Sequence, residues 1–185
     1  MIRKRKALSL VEISIGVVIS ALLLSGIMKL FSSGMKGSAK GLAHQANMET
    51  ASILMSQIEY DLLRANQIIT PHVKEKKREA EWTFFYKASD GSGKLAKIKY
   101  TSESRGIKRE IFDIQSGKSI QSSYFAKDQN SDISFVHVVT NTGSDKFYQL
   151  KQEMWVELTI SSKNKKTATA EPFTMKRLIT VRSQL

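Results

Sequence analysis

Residues 3–28 read Arg3-Lys4-Arg5-Lys6-Ala7-Leu8-Ser9-Leu10-Val11-Glu12-Ile13-Ser14-Ile15-Gly16-Val17-Val18-Ile19-Ser20-Ala21-Leu22-Leu23-Leu24-Ser25-Gly26-Ile27-Met28. Four consecutive cations precede 22 residues, Ala7 to Met28, that carry a single charge, Glu12. At about 1.5 Å per residue such a helix is roughly 33 Å long, enough for a bilayer core of about 30 Å. The basic cluster Arg3, Lys4, Arg5 and Lys6 predicts a cytoplasmic N-terminus, with the rest of the chain across the membrane. A secretory signal peptide has a shorter apolar core, about 7–15 residues, and an A-x-A cleavage site. Neither fits here. A carboxylate inside an apolar helix costs about 2.5 kcal/mol or more, so Glu12 is read as functional.

The string from Arg3 to Glu12 resembles the type III signal of type IV prepilins and pseudopilins. That signal is a short basic leader, a small residue, a cut, then Phe-Thr-Leu-Ile-Glu and an apolar helix. Ala7 stands for the small residue, and Leu8, Ser9, Leu10, Val11 and Glu12 stand for the five that follow. The resemblance implies that a prepilin peptidase cuts between Ala7 and Leu8 on the cytoplasmic side and N-methylates Leu8. It also implies that the new Leu8 ammonium pairs with Glu12 of a neighbouring subunit, which lowers the cost of both charges in lipid and fixes axial register. Two departures are informative. Ala7 replaces the usual Gly, and Lys29 stands where major pilins usually carry a proline. The second favours a minor or pseudopilin-type subunit. The tip subunit called K-type usually lacks the glutamate, so Glu12 argues against that assignment.

Beyond the span, residues 31–70 are expected to continue the helix. Gly34, Gly37 and Gly41 each cost about 1 kcal/mol relative to Ala and predict a flexible juncture there. Ala51, Leu54, Met55, Ile58, Leu62, Ala65 and Ile69 then recur at steps of three and four, an amphipathic stripe that Thr70-Pro71 closes. The phrase Asp61-Leu62-Leu63-Arg64-Ala65 resembles the helix end of J-type minor pseudopilins and W-type minor pilins, with an extra leucine.

Residues 72–79 read as a charged, solvated connector. From residue 75 to 185 the period changes to two, with strands expected at 82–86, 97–101, 107–114, 133–140, 155–161 and 173–181. Val156, Leu158 and Ile160 should face inward, and Trp155, Glu157 and Thr159 outward. Arg177 interrupts an apolar face and suggests a bulge or an exposed edge. The expected fold is therefore α+β and pilin-like. A long N-terminal helix packs on an antiparallel head of one or two sheets. The domains are a cleaved leader (1–7), a transmembrane or filament-core helix (8–30), its amphipathic continuation (31–70) and the extracytoplasmic head (75–185).

No catalytic constellation emerges from the sequence, and no enzymatic activity is expected. Without cysteine there is no disulfide, thiolate zinc site or cysteine nucleophile. His44, His72 and His137 are scattered without ligand spacing. Asp128, Asn130 and Asp132 have the spacing of the first three EF-hand ligands, but Ile133 replaces the glycine and no Glu holds the twelfth position. They are the one candidate for calcium, set against a solvated turn, and otherwise no cofactor is expected. The formal charge of +12 falls to +8 once residues 1–7 are removed, since they hold four of the 29 basic residues and none of the 17 acidic ones. The remaining cations, among them Lys74, Lys76, Lys77, Arg78, Lys163, Lys165 and Lys166, lack interleaved aromatics, so nucleic acid is not expected as a partner.

The partners implied by the resemblance are the prepilin peptidase, other minor and major pilin-like subunits, an inner-membrane assembly platform and the lipid bilayer. The expected location is the bacterial inner membrane, with the head in the periplasm. Three functions follow from these readings. They are a J-type minor pseudopilin of type II secretion, a W-type minor pilin of a type IV pilus, and an unprocessed single-pass protein with an extracytoplasmic binding domain.

Overall fold

The computed structural model describes residues 9–87, 93–127, 129–142, 149–162 and 171–181. Helix α1 runs from Leu10 to Leu63 and is followed, among the described residues, by nine strands. The strands are β1 (Ala65–Thr70), β2 (Lys76–Lys77), β3 (Glu79–Lys87), β4 (Gly93–Glu103) and β5 (Gly106–Asp113), then β6 (Ser119–Phe125), β7 (Gln129–Thr142), β8 (Gln149–Ser162) and β9 (Phe173–Val181). The chain divides into two compact units, Met1–Gly41 and Leu42–Leu185.

In the second unit, helix residues Ala51, Leu54, Met55, Ile58 and Leu62 are buried, as their spacing predicts. They join one core with Trp82, Phe84, Ile98, Tyr100 and Ile107 from one sheet and with Phe135, Met154, Val156, Leu158 and Ile160 from another. The first sheet has the order β1-β3-β4-β5-β6 and the second β2-β7-β8-β9. Among the described residues, the ladders between these strands are all antiparallel. The architecture is thus α+β, a long N-terminal helix packed on two antiparallel sheets, a layout consistent with a pilin-like head. The period-two reading of β8 holds residue by residue: Val156, Leu158 and Ile160 are fully buried, whereas Trp155 is 45% exposed.

Several boundaries differ from the sequence expectation. The helix ends at Leu63, and residues 65–70 form β1 rather than a last helical turn. Asn66, Ile68, Ile69 and Thr70 are weak helix formers, and pairing with β3 satisfies their backbone instead. Ala65 is still buried, but Ile69 is 38% exposed. The connector 72–79 contains β2, which pairs Lys76 with Val136 and Lys77 with Phe135 at the edge of the second sheet. Strand β6 also went unpredicted. Its four exposed leading residues, Ser119 to Ser122, show no alternation, and its place is set by pairing with β5.

The glycine-rich juncture is a correction of another kind. The α-helix continues without a break through Gly34, Gly37 and Gly41, because i→i−4 bonding on both sides outweighs their low propensity. At Gly106 the fold requires glycine. Its φ is +123°, and a Cβ there would stand 2.3 Å from the Phe125 carbonyl oxygen.

Candidate functional site

The N-terminal unit presents an apolar surface with no protein cover. Leu10 is 82% exposed, Leu22 66%, Leu30 75% and Phe31 72%. By length and composition the helix can cross a membrane, compatible with a single-pass anchor. Two serines inside this stretch are satisfied locally: the Ser14 hydroxyl donates to the Leu10 carbonyl (2.9 Å) and Ser25 to Leu22 (3.0 Å).

Glu12 lies in the first turn of α1, where its carboxylate Oε2 accepts the Ser9 backbone N–H at 2.9 Å. Ser9 Oγ in turn accepts the Val11 N–H at 3.3 Å, and the first helical bond runs from Ile13 N–H to the Ser9 carbonyl. This is a reciprocal capping box. The pattern Ser9-x-x-Glu12 is the sequence signal for this cap, alongside the intersubunit role that the resemblance implies for Glu12. The bond to Ser9 uses one carboxylate oxygen, Oε2, alone. The predicted cleavage and methylation residues Ala7 and Leu8, and the leader cations Arg3, Lys4, Arg5 and Lys6, lie outside the described residues.

At the other end of α1 sits a group that sequence reasoning did not single out. Asp61 is 1% exposed yet charged. Its carboxylate receives Arg109 Nε at 2.7 Å and an Arg109 terminal nitrogen at 3.0 Å, Tyr100 Oη at 2.6 Å and Gln57 Nε2 at 3.3 Å. The Asp61 backbone carbonyl also accepts the Trp82 indole N–H at 3.1 Å. Tyr100 and Arg109 are cross-strand partners on β4 and β5, and Trp82 of β3 stacks on Tyr100 with ring centroids 5.4 Å apart. Burial, and then the Asp61 charge, push the Tyr100 phenol well above its ordinary range, so it remains a neutral donor. Three strands therefore grip one helix residue, with a cost of burying charge that only such complete pairing offsets. Nearer the rim, Arg177 of β9 reaches Glu59 of α1. The break in the β9 face is thus an edge-strand residue turned to the helix, and the β8–β9 ladder shows no bulge.

The remaining candidates are not brought together. Asp128 lies outside the described residues. Asn130 and Asp132 sit two apart in β7 rather than in a turn, and Asp132 pairs with Arg78 at 3.3 Å. A strand directs both side chains to one face and cannot wrap them around an ion as a loop does. Among the described residues there is no group of three or more His, Asp or Glu side chains placed to hold a metal ion. His44 meets Phe173 edge-on, and His137 is buried in β7. The cations of 76–78 are largely neutralised in place: Lys76 pairs with Glu157 and Lys77 with Glu75, each at 3.2 Å. They line a cleft of about 320 Å³ with Asp132 and Thr159. Lys163, Lys165 and Lys166 lie outside the described residues.

Compared with protein-family models, curated proteins and solved structures, the chain finds a match in none of the three.

Proposed function

We propose that this chain is a minor pilin-like subunit, with the J-type minor pseudopilin of type II secretion as the leading assignment. In this reading a prepilin peptidase removes Met1 to Ala7 and methylates Leu8. Residues 8–30 are held first in the inner membrane and then in the filament core. The head works in the periplasm with other minor subunits to initiate or cap a pseudopilus that drives export.

The observation that carries the reading is the division of labour along one 54-residue helix. Its first half offers an uncovered apolar surface with one acid in the first turn, and its second half buries a stripe in an antiparallel head. A subunit that must pass from lipid into a helical bundle needs both. Charge pairing between a Leu8 ammonium and the unengaged oxygen of a neighbour's Glu12 favours such a transfer, because each ion costs more alone in an apolar medium.

The W-type minor pilin reading draws on the same Asp61-Leu62-Leu63-Arg64-Ala65 string. Deleting the gene in its native host separates them. Loss of protein export with intact surface motility and DNA uptake supports the secretion assignment, and the reverse pattern supports the pilus. Loss of neither overturns both and favours the unprocessed single-pass protein.

A further inference from the structure

Because α1 is unbroken across Gly34, Gly37 and Gly41, its side chains keep helical register from the apolar span outward. Lys29, Lys36 and Lys40 are separated by seven and four residues, which at about 100° per residue places all three within a sector of roughly 40°. All three are exposed. Between Glu12 and Glu49 the sequence contains no acidic residue, so none of these lysines has a carboxylate within helical i±3 or i±4 reach. Met28, Phe31 and Met35, each exposed by about two thirds or more, lie about 100–160° round the helix from the lysine row. The segment is therefore amphipathic, with unpaired cations beside an apolar face, directly where the span ends.

We propose that the Lys29–Lys36–Lys40 row is a docking surface for anionic phospholipid headgroups on the extracytoplasmic side of the membrane. The inference rests on the membrane-anchor reading above. If Lys29 sits at the edge of the hydrocarbon, Lys36 stands about 10 Å and Lys40 about 16 Å further along the axis. A headgroup layer adds about 5–7 Å on each side, and the Debye length is about 8 Å at physiological salt. Lys29 and Lys36 thus reach phosphates, and Lys40 senses the surface potential. Met28 and Phe31, within about 3 Å of that edge along the axis, meet the acyl boundary. Such binding would hold the subunit at a fixed depth and rotation before assembly, and releasing it would be part of extraction into a filament.

The full chain, reconstituted into phosphatidylcholine vesicles containing a minor fraction of phosphatidylglycerol, provides the test. The relative association of spin-labelled phosphatidylglycerol and phosphatidylcholine with the protein is measured. The parent chain should favour phosphatidylglycerol by about threefold or more at low salt. Lys29→Gln/Lys36→Gln/Lys40→Gln should abolish most of that preference. Equal association of the two lipids with the parent overturns the proposal. So does a preference that survives the triple substitution, which would assign it to Arg3–Lys6. Normal lipid behaviour combined with loss of co-purifying subunits in the triple variant would place an acidic protein face there instead, and would also overturn it. Failure of the anchor reading looks different: the chain would wash off both neutral and anionic vesicles in alkaline carbonate.

Discussion

The carboxylate of Asp61 and the guanidinium of Arg109 meet through two hydrogen bonds of 2.7 and 3.0 Å, with both residues buried. They are 48 residues apart in sequence and tie the end of α1 to β5, an interior strand of the five-stranded sheet. Removing one partner leaves the other charged and unsatisfied, which typically costs about 3–5 kcal/mol. Asp61→Ala or Arg109→Ala should lower the denaturant midpoint of the detergent-solubilised chain accordingly. The double variant Asp61→Leu/Arg109→Met should lose much less than the sum. Arg177→Ala, which breaks a pair roughly half-exposed on both sides, should cost no more than about 1 kcal/mol. Similar losses at Arg109 and Arg177 would show that burial does not decide the difference.

Glu12 has a cap to make and, in the proposed function, a charge to pair. Glu12→Gln keeps an acceptor for the Ser9 N–H but removes the charge, so it separates the two. We expect membrane insertion and cleavage to survive both Glu12→Gln and Glu12→Ala, and filament incorporation to fall equally in both. Ser9→Ala should weaken the helix start by about 1 kcal/mol without blocking incorporation. Rescue of incorporation by Gln would reduce Glu12 to a cap.

Gly106→Ala should destabilise the head by about 2 kcal/mol or more, since the new Cβ meets backbone rather than a flexible side chain. Hydrogen exchange in β6 should accelerate more than in β8, because the clash falls on the Phe125 carbonyl at the end of β6. Unchanged stability and exchange would refute the strained turn.

Much of this layout was legible in the sequence, and the exceptions share a cause. The stripe Ala51, Leu54, Met55, Ile58, Leu62 and the alternation Val156, Leu158, Ile160 are local periodicities, so a window of a few residues reveals them. Strand β6 has no such pattern, because Ser119, Gln121, Ser122 and Ser123 are placed by the free edge of β5. Strand β1 carries a misleading helical signal, because Ala65 and Ile69 fit a 3.6 period by coincidence. Asp61 and Arg109 each look like ordinary surface charges, and only the fold makes them a pair. At Glu12 the reverse occurred: the Ser-x-x-Glu cap was a local signal, overlooked beside a more specific resemblance.

His137 predicts a pH dependence. Burial lowers its pKa below the ordinary value near 6.5, only partly opposed by the Pro71 backbone, and Nε2 has no hydrogen-bond partner among the described residues. The unfolded chain therefore takes up the proton first as pH falls. Stability from neutral His137 is complete above about 6.5 and declines as pH drops from there toward the lower folded pKa. In His137→Gln that segment of the stability–pH curve should flatten. A parent curve already flat between pH 7 and 5 would contradict the assignment.

The central claim is that this chain is cut and modified like a prepilin, and mass spectrometry of the N-terminal peptide from the native membrane tests it most directly. The account predicts a mature chain that begins at Leu8, carries one N-methyl group and lacks Met1 to Ala7. A native chain that still begins at Met1 or Ile2 would contradict it.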